Sequence, residues 1–117
     1  MCIRDSSYLK KSAAYTTQGK AIFEKIVKAN PNVFLVLCGH CRDISYKNVQ
    51  LDDDGDGDPD RTVYAILSNF QGSKAGVGGY MRILDFRDSD IYIYTYSPYY
   101  DSCEYPKGKT EATVPLP

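Results

Sequence analysis

Val33-Phe34-Leu35-Val36-Leu37 is apolar without alternation and stands directly behind a helix signal. A short run of that kind, bounded by turn residues, is expected of a strand covered on both faces. From Gly19 to Lys28 the apolar residues Ile22, Phe23, Ile26 and Val27 recur at spacings of three and four, with Lys20, Glu24, Lys25 and Lys28 on the opposite side. That pattern predicts an amphipathic helix. Thr16 or Thr17 is placed to cap it, and Pro31 ends it by disfavouring helical geometry at Asn30. A helix followed by a buried strand belongs to a layered α/β protein.

Downstream the pattern changes to antiparallel sheet. Thr62–Ser68, Tyr80–Phe86 and Ile91–Ser97 are rich in β-branched and aromatic residues and are separated by Gly and Asp clusters. In the last run Ile91, Ile93 and Thr95 alternate with Tyr92, Tyr94 and Tyr96, which places the two sets on opposite faces. The connector Arg87-Asp88-Ser89-Asp90 has hairpin length. The expected class is therefore α/β, or α+β if taken as a piece: one helix, a buried strand, then an antiparallel set. Residues 1–14 read as an irregular leader, 15–100 as the domain, and the Pro-, Lys-, Gly- and Thr-rich stretch 101–117 as a tail or linker. With eleven tyrosines, a stripe of Tyr is read as half-buried packing ahead of a carbohydrate-stacking face.

The chain has 117 residues, enough for one small domain or part of a larger one. Its 43% hydrophobic and 25% charged residues exclude a disordered tail, a collagen-like repeat and a coiled coil. The net charge of −1 hides an asymmetry. Residues 52–60 hold six of the fifteen acids and no base, which leaves nine acids against fourteen bases, a net of +5, elsewhere. No stretch approaches the ~20 apolar residues of a membrane span, and no secretion signal opens the chain. Neither a nucleic-acid nor a membrane partner is expected. Four cysteines, at 2, 38, 41 and 103, are too few and too unevenly placed for a disulfide scaffold.

Three constellations bear on chemistry. Cys38-Gly39-His40-Cys41 is a C-x-x-C with the centre found in disulfide isomerases, and it supports a thioredoxin-like oxidoreductase as an alternative. That chemistry needs a helix after the first thiol, and Arg42–Val49 has no helical apolar face. Zinc on the pair would need two further ligands, which Cys2 and Cys103 are poorly placed to supply. In Asp52-Asp53-Asp54-Gly55-Asp56-Gly57-Asp58-Pro59-Asp60, the carboxylates of Asp52, Asp54, Asp56 and Asp60 match the opening of a calcium loop. The closing Glu is absent, with Val63 in its place, so the readings are a calcium-stabilised β module without enzymatic activity or a solvated hairpin tip. His40, the one histidine, follows the buried strand, where sites gather in α/β folds.

Asn30-Pro31-Asn32-Val33-Phe34-Leu35-Val36-Leu37-Cys38-Gly39-His40 resembles the strand and turn that lead into the last metal motif, G-H-x-H, of calcineurin-like metallophosphoesterases. Thr62–Leu67, Asn69-Phe70-Gln71-Gly72, Gly78–Leu84 and Thr95-Tyr96-Ser97-Pro98 follow in order and look like the C-terminal strands of a bacterial branch of that family. The resemblance implies a two-metal hydrolase in a four-layer αββα sandwich, with divalent ions such as Mn, Fe or Zn. A metal-bridging hydroxide would attack a phosphate mono- or diester, the small-molecule substrate. It assigns His40 as a ligand of the second metal. Arg42 stands where the motif has its second His; an arginine has no lone pair for a metal, and its planar fork suits phosphate oxygens, so contact with a substrate phosphate is expected of it. The earlier motifs of the family have no counterpart, and the chain is expected to be the C-terminal fragment of such a domain, inactive alone and lacking the N-terminal part of its own fold. The bacterial branch leans towards a place outside the cytoplasm.

Overall fold

The computed structural model describes residues 2–3, 17–39, 44–71, 78–103 and 111–117. The described residues form one short helix and two small sheets, an α+β arrangement. It divides into two compact units, one ending at Leu67 and the other built on Ser68–Pro117, with Ile44 grouped with the second. Among the described residues no helix is long and apolar enough to cross a membrane.

In the first unit, strand β1 (Cys2–Ile3), helix α1 (Thr17–Ile22), β2 (Leu35–Cys38), β3 (Ile44–Leu51) and β4 (Arg61–Ser68) give a sheet of order β1-β2-β4-β3. Both β1 and β4 run parallel to β2, with Leu35 opposite Tyr64 and Cys38 opposite Leu67. The nine-residue link from β3 to β4 is too short for a parallel crossover, so these neighbours form a hairpin. Alternation along β4 puts Val63, Ala65 and Leu67 on the face that carries Val36 and Cys38 of β2, and Val27 and Leu51 complete this buried cluster. Leu35 and Leu37, on the other face of β2, are half-buried, as a strand covered on both sides requires.

The helix departs from its expected form near its end. Residues 17–22 are α-helical, but Phe23–Val27 make a π-helical turn, with Lys28 N–H donating to the Phe23 carbonyl at 2.9 Å. A wider turn shifts the phase of every later residue. Val27 stays fully buried and Ile22 and Phe23 pack beside it, whereas Ile26, expected on the same face, is 44% exposed. The Asn30 side chain then donates to the Ile26 carbonyl at 2.6 Å, one of the acceptors that a helix end leaves over.

In the second unit, β5 (Met81–Phe86), β6 (Asp90–Tyr96) and β7 (Ala112–Pro115) form an antiparallel sheet in that order. The β5–β6 hairpin turns at Arg87–Asp90, where Arg87 N–H donates to the Asp90 carbonyl at 2.8 Å. Ile91, Ile93 and Thr95 are buried, and the intervening tyrosines are half-buried. Buried Ser97 donates to the Gly78 carbonyl and accepts from Tyr100 N–H. Gly78 is glycine because a Cβ there would stand 2.5 Å from the Tyr80 ring and 2.7 Å from the Tyr100 ring.

Two segments read as irregular carry strand. Cys2–Ile3 lie within 1–14 and pair with Leu37 and Cys38. Ala112–Pro115 lie within 101–117 and pair with β6, Val114 opposite Ile91 and fully buried. Four residues with Thr and Pro among them give too short an alternation to stand out, yet one Val on the inward side suffices to cover Ile91.

Arg61 opens β4 and joins distant pieces of the first unit. Its Nη1 donates to the Val33 carbonyl at 2.9 Å, and its Nη2 donates to the Val27 and Lys28 carbonyls at 3.2 and 3.1 Å. Arg61→Ala takes the side-chain donor from the Val33 and Lys28 carbonyls and leaves that of Val27 only the Asn30 N–H at 3.5 Å, and is expected to cost about 3 kcal/mol in urea unfolding. Arg61→Lys recovers part of the loss, since one ammonium cannot span the same acceptors.

Candidate functional site

The acidic segment is the link between β3 and β4, and residues 52–60 are all exposed. Its backbone folds around its own carboxylates. Asp52 accepts from Gly55 N–H at 2.6 Å through Oδ1 and from Gly57 N–H at 2.9 Å through Oδ2. Asp54 accepts from Asp56 N–H at 3.1 Å, and Asp56 from Asp58 N–H at 2.8 Å. Asp60 Oδ2 accepts from Asp53 N–H at 2.7 Å and Asp54 N–H at 3.3 Å, closing the loop across its neck. Gly55 and Gly57 have φ of +83° and +100°, which side-chain-bearing residues rarely adopt. The sequence therefore places glycine where the turn reverses.

Arg61 pins the neck from outside. Its Nε meets Asp53 Oδ2 at 2.5 Å and its Nη2 meets Asp53 Oδ1 at 3.0 Å, a two-pronged pair with the arginine side chain 12% exposed. Asp53 is thereby committed to the arginine. Asp52, Asp54 and Asp60 instead bring one carboxylate oxygen each to within 4.8 Å of one another. An all-oxygen set of this kind suits a hard cation such as Ca²⁺. Asp56, the fourth residue expected in a calcium loop, is outside the triad and holds the Asp58 amide.

His40, Cys41 and Arg42 lie outside the described residues. Gly39 directly follows β2, and Cys38 is a core side chain at 7% exposure, the setting of a structural thiol. What comes next is strand β3, so the helix on which a redox dithiol depends is not supplied by Ile44–Leu51. Cys103 is exposed in the second unit. On the tyrosine face, Tyr92 stacks on Tyr94 at 5.5 Å between centroids and carries the Arg87 guanidinium 4.6 Å from its own centroid. Ring faces engaged in this way serve the sheet and leave little platform for a sugar.

Arg61 is the one site residue that sequence reasoning missed. A signal existed, a single base at the exit of a segment holding six acids.

Over 94 residues the chain is 46% identical to the uncharacterized protein YvnB of Bacillus subtilis (strain 168), a match that covers 79% of this chain and 7% of that protein. The chain thus spans a small part of the length of this relative. No family model and no solved structure matches it.

The Gly55 amide first, then that of Gly57, holds the Asp52 carboxyl below the ordinary carboxylate range. A depressed folded-state pKa adds stability above the unfolded value, near 3.9, and that stability is lost as pH falls through the folded one. Thermal unfolding followed through this acid range should accordingly decline less steeply in Asp52→Asn than in the native chain.

Proposed function

We propose that residues 15–100 are the C-terminal part of a calcineurin-like phosphoesterase domain of the four-layer αββα kind, with the rest of the two-metal ligand set supplied by sequence outside these 117 residues. The observation that carries this reading is the parallel pairing of β2 with β4, with Gly39 directly after β2. His40 thus follows the carboxyl end of an interior strand, where open α/β sheets collect their sites. The relative at 46% identity supports it by its size, since this chain covers 7% of it and a protein of that length has room for the remaining motifs.

The described residues do not themselves assemble a two-metal centre. Their one cluster of ligating groups is the triad Asp52, Asp54 and Asp60, all oxygen and all exposed, without the nitrogen donors that such a centre takes from histidine. No catalytic step is therefore assigned to this chain. His40 is the ligand it contributes, and Arg42 contacts the substrate phosphate in the assembled domain. With Mn²⁺ and a chromogenic phosphodiester the isolated chain is expected to give no hydrolysis above buffer. Turnover that disappears in His40→Ala would overturn this.

A second reading concerns the acidic loop alone. Ca²⁺ bound by Asp52, Asp54 and Asp60 stabilises the β3–β4 hairpin, supported by the convergence of three carboxylate oxygens. With a Kd of about 1 mM, in the range of weak extracellular calcium modules, about 10 mM Ca²⁺ adds about 1.4 kcal/mol. That is a rise in Tm of about 6 °C. Asp54→Ala abolishes the rise and Asp56→Ala keeps it; a flat titration of the native chain in calorimetry refutes the site.

A further inference from the structure

We propose that the Asp58–Pro59 peptide bond is a self-cleavage site, which the fold of the acidic loop leaves open for attack by the Asp58 side chain. Six aspartates lie in the loop. The carboxylates of Asp52, Asp54, Asp56 and Asp60 accept main-chain amides, and that of Asp53 is paired with Arg61. The carboxylate of Asp58 accepts no hydrogen bond among the described residues; its N–H alone is used, towards Asp56. Asp58 and Pro59 are both exposed. Theirs is the one Asp–Pro bond in the sequence.

That dipeptide has a distinctive reactivity. A side-chain carboxyl oxygen of Asp58 adds to the carbonyl carbon of the same residue and forms a C–O bond in a five-membered cyclic anhydride. The C–N bond to Pro59 breaks, and the prolyl nitrogen leaves as a secondary amine after taking a proton. Nitrogen in a tertiary amide accepts that proton more readily than in an ordinary peptide, which favours this bond over the other aspartyl bonds of the loop. Water then opens the anhydride to give Asp58 a terminal and a side-chain carboxyl. One water is consumed, nothing is oxidised or reduced, and the demand for a proton places the reaction on the acid side. The bonds that follow the five other aspartates of the loop each end in an N–H-bearing residue and lack this leaving group.

The two products stay together. Across the cut, Asp60 accepts from the amides of Asp53 and Asp54, Arg61 holds Asp53, and Asp60 N–H donates to the Leu51 carbonyl at 2.9 Å. The cleaved form is a nicked first unit in which β4 keeps its pairing with β2.

The purified chain is held in acetate buffer, with circular dichroism establishing that it remains folded, and followed by mass spectrometry. Two fragments are expected, residues 1–58 and 59–117, whose masses sum to the intact chain plus one water. Asp58→Ala and Pro59→Ala abolish them, while Asp56→Ala retains them. On gel filtration the cut material elutes with intact chain until urea is added. No cleavage, the same fragments from Asp58→Ala, or cleavage confined to urea-unfolded chain would each overturn the proposal. Fragments that separate without urea would overturn the nicked product.

Discussion

The guanidinium of Arg61 is the joint of the first unit. Its donors reach the end of the helix at Val27 and Lys28, the approach to β2 at Val33, and the Asp53 carboxylate at the neck of the loop. Each partner needs it for a different reason. A helix of barely three turns, the last of them π, is too short to hold itself and leaves carbonyls unsatisfied at its end, where a cation also complements the dipole. A segment with six acids needs at least one fixed counter-charge before its backbone can settle around the others. One side chain answers both needs, which ties the placement of the acidic loop to the packing of Val27.

The sheet order has a related logic. The chain leaves β2, runs outward to β3 at the edge, and returns to lay β4 beside β2. The interior position therefore falls to β4, and its run Val63, Ala65, Ile66 and Leu67 is buried. The edge position falls to β3, whose Tyr46, Lys47 and Asn48 are exposed. An edge strand with Lys and Asn on it is also a poor template for pairing with another chain.

These placements explain what could be read from residues alone. The strands at Leu35–Cys38, Arg61–Ser68, Met81–Phe86 and Asp90–Tyr96 were legible because burial on one or both faces writes itself into β-branched and aromatic runs. β3 and β7 were not: one is a polar edge strand, the other four residues long, and neither shows a period distinct from loop. Ile26 was assigned to the buried face because the 3.6-residue period was carried through a turn that is π. In the loop the aspartates were evident, but only the backbone path separates Asp52, Asp54 and Asp60, which converge, from Asp56, which holds an amide. The place of Arg61 beside the acids was legible, but its hold on the helix end and on Val33 was not, because those carbonyls lie 28 to 34 residues away in sequence.

The locked neck and the open tip of the acidic loop divide it into parts under different rules. Asp53, Asp60 and Arg61 are bound to one another and to the body of the unit, so a residue gained or lost among them would shift the register of β4 against β2. Between Gly55 and Pro59 the backbone amides donate only to carboxylates of the loop itself. Length variation among descendants of this sequence should therefore gather at the tip, and the same interval is the natural place to splice in a foreign peptide without disturbing the sheet.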